Sequence, residues 1–396
     1  MESTAVPRTN HRALTFIFIT ILIDIIGAGI MMPVVPYLVR PYSADALTIG
    51  LLAVAYSIAQ FFAAPLLGAI SDRHGRRPVL VISLFGASIG YALFGIGGAL
   101  WVFFVSRIVA GFTGGNLTAA QAYIADVSTD ADRAKNFGLV GAAFGLGFIL
   151  GPSIGGVLAK ISLTAPAWVA GAVALANATF GVFVLPESLA PELRRPHPLH
   201  LGDFNPFRLL GKAFSTPQLS ALFIGIFLSR MAMMGLQTNF TVYTLNKFRY
   251  TPAQNAVVLT VLGATSTVTQ GFLIRRISGR FSERRILLTG LAIMVIGMAA
   301  IGATPVGWLL APAICVLAAG SGLVTPTQQS LISQAGLPEE QGLMFGANGA
   351  ITSLTAIVGP AFAGAVFDHV AFSAPYWSGA VLLAASWVAI YRAVRE

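Results

Sequence analysis

Charged side chains are scarce. Lys, Arg, Asp and Glu together make 10% of the 396 residues, where soluble domains carry about 25%. So few cannot cover a water-facing surface, which excludes a soluble enzyme or a soluble binding module. Acids are the scarcer sign, 15 against 24 Lys and Arg. Cysteine is almost missing: Cys315 stands alone. No disulfide can form within the chain, and a buried structural thiol is expected. Histidine is thin as well. His11, His74, His197, His200 and His369 lie outside the apolar runs or at their ends, so no metal site is expected within them. The phosphate loop G-x-x-x-x-G-K-[ST] is absent, which excludes direct use of ATP. Gly145-x-Gly147 follows no strand and is no dinucleotide fingerprint. The sequence asks for no cofactor.

What is abundant is apolar. Hydrophobic residues make 56% of the chain and glycines number 42. A spanning helix needs about 20 mainly apolar residues. Twelve such runs are expected, at 13–36, 46–70, 79–98, 101–126, 136–159, 166–185, 218–245, 253–274, 286–303, 307–333, 341–366 and 374–392. The first carries Asp24 and no A-x-A site, so it reads as a span and not a cleaved signal. The sequons at Asn116, Asn177 and Asn239 fall inside runs and are chance.

Of the 24 Lys and Arg, 18 fall in loops on the side of the N-terminus, 4 on the other side, and Arg107 and Arg230 within spans. That bias predicts both termini in the cytoplasm of an inner-membrane protein. The +9 net charge is therefore topology and not a nucleic-acid surface. The expected partners are the bilayer, a small-molecule substrate and protons, for a monomer.

The longest polar stretch predicts a cytoplasmic linker at 186–216 between helical halves at 1–185 and 217–396. The halves echo each other. Ser71 to Arg77 matches Ser278 to Arg284, Phe137-Gly138 matches Phe345-Gly346, and Gly151-Pro152 to Gly156 matches Gly359-Pro360 to Gly364. Parallel six-helix repeats mark one large transporter fold, with its site near mid-membrane.

The loop after the second run reads Gly68-Ala69-Ile70-Ser71-Asp72-Arg73-His74-Gly75-Arg76-Arg77. It resembles the signature loop of the major facilitator superfamily, G-x-x-x-D-R-x-G-R-R. Arg107-Ile108-Val109-Ala110-Gly111, with Gly114 and Thr118 on the same helical stripe, resembles the superfamily's intramembrane arginine motif. Gly138, Gly147, Gly151-Pro152 and Gly155-Gly156 resemble the antiporter motif of its proton-coupled drug exporters. Asp24 to Pro33 resembles the acidic first helix of the tetracycline-efflux branch. That branch carries acids where this chain has Gly90 and Met294. The resemblance implies an all-α membrane protein of twelve helices in two six-helix halves, and a proton-coupled antiporter exporting small amphipathic molecules or drugs. It implies a conformational latch of Gly68, Asp72, Arg73, Gly75, Arg76, Arg77 and Asp126, with Gly68 packing helices closely and Asp72 at the N-terminus of a neighbouring helix, the eleventh run.

Asp24, Arg107 and Arg230 are the strong charges within spans. Ionisable groups in lipid are costly, so functional use is the default. Asp24 is the only acid near mid-membrane. Desolvation favours its neutral form and a nearby cation its charged form, which suits a proton carrier paired with Arg107. A permanent Asp24–Arg107 ion pair is the structural alternative. Arg230, Met233, Met234, Gln237 and Thr241 share one stripe and suit an adaptable pocket. Asn116, Gln121, Gln329, Tyr56, Gln60 and Met31 are further substrate candidates. Two arginines against one aspartate also fit an organic-anion or metabolite carrier. A polytopic membrane enzyme and a non-transporting receptor are remoter alternatives.

Overall fold

A computed structural model describes residues 11–114, 116–189, 194, 214, 216–334 and 341–393. Most of the expected linker, and the loop 335–340, lie outside the described residues. Every regular element among the described residues is helical.

The first run forms α1 (His11–Met31) and stops before Pro33. A short α2 (Val35–Val39) follows. The second run is one helix, α3 (Ala46–His74), with Pro65 inside it. At 29 residues it is about 43 Å long, more than the roughly 30 Å of a hydrocarbon core. Then come α4 (Arg76–Ile96), α5 (Leu100–Phe112), α6 (Asn116–Asp126), α7 (Asp130–Leu158) and α8 (Ala165–Phe183). The second half holds α9 (Pro217–Phe248), α10 (Pro252–Val268), α11 (Ile274–Ile277), α12 (Glu283–Ala303), α13 (Leu310–Gln334), α14 (Gln341–His369) and α15 (Ala374–Ala393). Among the described residues, eleven stretches are long and apolar enough to cross a membrane. The twelfth run is α15, a helix of 20 residues made more polar by Tyr376, Ser378, Ser386 and Tyr391. The chain is thus an all-α, multi-pass membrane protein.

Two expected single helices are interrupted. The run 101–126 breaks between α5 and α6. Thr113 Oγ turns back onto the carbonyls of Val109 (2.9 Å) and Ala110 (3.3 Å), and glycines follow that favour no helix. The stripe from Arg107 to Thr118 is therefore not continuous. The run 253–274 passes through a π turn at Thr269–Leu273. There a Cβ on Gly322 would lie 2.6 Å from Cβ of Thr269.

The chain forms two compact units, residues 1–38 with 58–199 and residues 39–57 with 200–396. In the first, α1 packs on α7 and α8, and α4 on α5 and α8. In the second, α9 packs on α14 and α15, and α12 on α13 and α15. The same pairing occurs in both, which is the internal repeat expressed as packing. The N-terminal part of α3 belongs to the second unit. The Asp368 carboxylate near the end of α14 accepts from the N–H groups of Ala46 (3.0 Å) and Leu47 (2.7 Å), capping the start of that helix from far along the chain.

Candidate functional site

Asp24 sits on α1 with its carboxylate facing the break between α5 and α6. Asn116 is the first residue of α6. Its Oδ1 accepts from the Leu117 N–H (2.8 Å), and its Nδ2 donates to Asp24. The amide is thereby oriented, and the carboxylate lies at the positive end of a half-helix. The break would leave a bare carbonyl in an apolar setting. Gln60 Nε2 donates to it, meeting the Gly114 oxygen at 2.8 Å. Two expected substrate candidates, Asn116 and Gln60, are thus engaged by Asp24 and by the backbone.

Arg107 was paired with Asp24 on sequence grounds. The structure sets its guanidinium over the Phe94 ring, 4.5 Å from the centroid, a cation–π contact. Gly90 and Met294, where this chain departs from the acids of the tetracycline-efflux branch, are both at close helix contacts. A Cβ on Gly90 would lie 3.1 Å from Ala110 Cβ. Met294 is buried, and its Cγ would lie 2.7 Å from a Cβ on Gly320. Neither place has room for a hydrated carboxylate.

The glycines of the antiporter motif form the seam between α7 and the Asp24 helix. A Cβ on Gly151 would stand 2.6 Å from the Gly29 Cα, and one on Gly147 2.9 Å from Cβ of Ile25. One on Gly155 would collide with the Ile30 carbonyl oxygen. Pro152 and Gly156 are buried beside them. Gly138 lies off the seam, with nothing within 4 Å of a Cβ there.

At the other end of α4 is the latch. Arg76 donates to Asp72 and, from Nε, to Asp126 at 3.1 Å. Arg77 donates to the carbonyls of Gly181 (3.2 Å) and Val182. Arg73 is exposed. Asp72 is held by Arg76, across the turn at Gly75 between α3 and α4. One expectation changes. Gly68 makes no close packing among the described residues, with nothing within 4 Å of a Cβ.

Sequence reasoning missed Glu187, assigned to the linker. Its Oε1 accepts from the N–H groups of Arg76 (2.8 Å), Ser188 (3.0 Å) and Leu189 (3.1 Å), and its Oε2 from that of Arg77 (3.2 Å). It caps α4 from more than a hundred residues away. Gly75, at φ 105°, lies so close that a Cβ would strike this carboxylate. Ser188 Oγ donates to Asp126 (2.9 Å), and the Tyr123 hydroxyl to the Pro186 carbonyl (2.9 Å). The polar segment Pro186-Glu187-Ser188 directly after an apolar run was the available signal.

In the second unit Arg230 donates from its two terminal nitrogens to Thr352 Oγ (2.8 Å) and Asn348 Oδ1 (3.3 Å) on α14. Met234 packs on Gly359. Met31 and Thr241 are buried, Tyr56 and Met233 half-buried, and Gln121, Gln237 and Gln329 exposed. Asn239, dismissed above as a chance sequon, is fully buried, and neither amide atom has a hydrogen-bond partner among the described residues.

The profile of the Major Facilitator Superfamily matches residues 17–335 and 222–396. The chain is 36% identical over 373 residues to the tetracycline resistance protein, class C, of Escherichia coli, covering 93% of this chain and 92% of that one. It is 30% identical over 367 residues to multidrug resistance protein 2 of Bacillus subtilis, covering 91% and 90%. Among solved structures it resembles the human organic anion transporter MFSD10, with TM-score 0.74, 26% identity and coverage of 96% and 99%.

Proposed function

We propose that this chain, which belongs to the Major Facilitator Superfamily, is a proton-coupled exporter of small amphipathic molecules that works by alternating access. It acts as a monomer in the cell inner membrane, with both termini in the cytoplasm. The names of its relatives, tetracycline and multidrug resistance proteins, support drug efflux. Organic-anion transport by the human neighbour is consistent with charged amphipathic cargo.

The observation that carries proton coupling is the Asp24–Asn116 contact. Asp24 is the only acid in the interior of a span. Its charged form is met by one amide donor and a helix dipole; its neutral form loses the dipole term. Binding a proton therefore changes what holds α1 to α6. Arg76 bridges Asp72 and Asp126, which ties α3, α4 and α6 together at the side read as cytoplasmic. Asp24 carries the proton, Arg230, Met233 and Met234 contact cargo, and Arg76 times the exchange.

The test uses proteoliposomes with an imposed pH gradient. Asp24→Asn keeps the shape and removes the titration. Uphill export should fall to background, while exchange of cargo at equal concentrations persists. Normal uphill export by this variant overturns Asp24 as the carrier. A wild type that shows no substrate-dependent proton flux overturns coupling itself.

A further inference from the structure

Arg230 lies 13 residues into the 32-residue α9, about 20 Å from the helix start, so its charge stands deep within the span. A guanidinium offers five donors and does not lose its proton in proteins. Its hydrogen-bond partners Thr352 Oγ and Asn348 Oδ1 are neutral. Its Nε–H is buried and has no partner among the described residues. Thr352 Oγ is itself fixed, since it donates to the Asn348 carbonyl (2.7 Å) and so turns a lone pair to Arg230.

No carboxylate of its own unit answers the charge. The acids in 39–57 and 200–396 are Asp45, Asp203, Glu283, Glu339, Glu340, Asp368 and Glu396. Asp45 precedes α3, Glu283 begins α12 and hydrogen-bonds Ser330 (2.6 Å), and Asp368 caps α3 from the end of α14. The other four lie outside the described residues and outside every expected span. An intramembrane cation that no described carboxylate of its own unit meets, oriented by two neutral acceptors and with a donor unpartnered among the described residues, is a receptor for an anion.

We propose that Arg230, positioned by Asn348 and Thr352, binds the anionic group of the cargo: a carboxylate, sulfonate or similar oxyanion on an amphipathic molecule. The proposal rests on the exporter reading for its cargo, but binding alone tests it separately. Met233 and Met234, a turn further along α9, supply adaptable apolar surface for the rest of such a molecule. An acid of its own unit beside Arg230 would block the site, and among the described residues of that unit Asp45, Glu283 and Asp368 all lie at helix ends.

The experiment uses three naphthylamine fluorophores that differ in carrying a sulfonate, no charge or a trimethylammonium group. Binding to the purified full chain is followed by fluorescence, and export is followed in proteoliposomes under a pH gradient. The wild type should bind the sulfonate probe best. Arg230→Gln should weaken that probe by about tenfold or more and leave the uncharged probe unchanged within about twofold. Arg230→Lys should recover part of the loss. Asn348→Asp keeps the arginine and sets a carboxylate beside it, so it should weaken the sulfonate probe and favour the trimethylammonium probe. Equal losses for all three probes in Arg230→Gln overturn the proposal. So does unchanged sulfonate binding in Asn348→Asp, the deciding variant if Arg230→Gln does not fold. Arg230-dependent binding without export of any probe would sink the exporter reading and leave the anion site standing. Export of the sulfonate probe by Arg230→Gln at the wild-type rate would do the reverse.

Discussion

Asn239 is a residue whose chemistry is unspent. Its amide is buried with no hydrogen bond among the described residues, a state that costs about 1–3 kcal/mol. Leu has nearly the same volume and no polar atom. Asn239→Leu should therefore raise thermal stability by about 1–3 kcal/mol, measured as the unfolding midpoint of purified protein. A lowered midpoint would mean that the amide is satisfied in the folded protein. Arg230 is the contrary case: its charge is buried on two neutral acceptors, which costs stability in the empty protein. Stability gained by removing Asn239 should leave the charge preference of the probes untouched, because the two residues lie nine positions apart on α9 with separate surroundings.

At the level of elements, the N-terminal end of α4 is held by chain that is not helix at all. The Glu187 carboxylate receives the first N–H groups of α4, which a helix start would otherwise leave unmet. Glu187→Gln keeps an acceptor but removes the charge that the dipole favours, a loss of about 0.3–1 kcal/mol. Glu187→Ala removes both and should cost about 1–3 kcal/mol. Each should lower the initial rate of export in that order and leave probe affinity unchanged, since Arg76 is positioned by the same helix start. A changed affinity with an unchanged rate would place Glu187 in cargo binding instead. Gly75→Ala should be worse than either, because φ 105° and the carboxylate both exclude a side chain.

Across the whole molecule the two repeats solve one packing problem differently. In the first unit Gly151 of α7 meets Gly29 of α1; in the second, Gly359 of α14 meets the Met234 side chain of α9, with a Cβ there 2.6 Å from Met234 Cβ. Gly359→Ala and Gly151→Ala should each cost about 1–3 kcal/mol through overpacking. Only the first can be relieved by trimming its neighbour. Met234→Gly in the Gly359→Ala background should recover about 1 kcal/mol or more as coupling in a double-mutant cycle, read from unfolding midpoints. Strict additivity would show that the seam yields elsewhere.

The repeat, the spans and the signature loop were legible because each is written in local sequence: hydropathy, loop arginines, glycine spacing. Asp24, too, announced itself as a lone acid in an apolar run. Its partner did not. Arg107 was the obvious counter-charge, but the break at Thr113 and Gly114 turns the start of α6 toward Asp24 and brings in Asn116 instead. Whether two glycines interrupt a membrane helix depends on a donor from elsewhere, here Gln60, and that is a tertiary fact. Glu187 was hidden for the same reason: its partners are backbone N–H groups far away in the chain, which leave no mark on the residues around it.

The α1–α7 seam has a genetic consequence. A single-base change in a glycine codon that is not silent yields either a stop or a residue that carries a Cβ. At Gly29, Gly147, Gly151 and Gly155 a Cβ meets backbone or a β-branched neighbour within 3 Å. One-step variants at these four positions therefore each carry an overpacking cost of about 1–3 kcal/mol. At Gly68 and Gly138, where the space beside the backbone is open, the same one-step changes stay within reach. Variation that tunes this transporter must accumulate away from the helix pair that carries its acid.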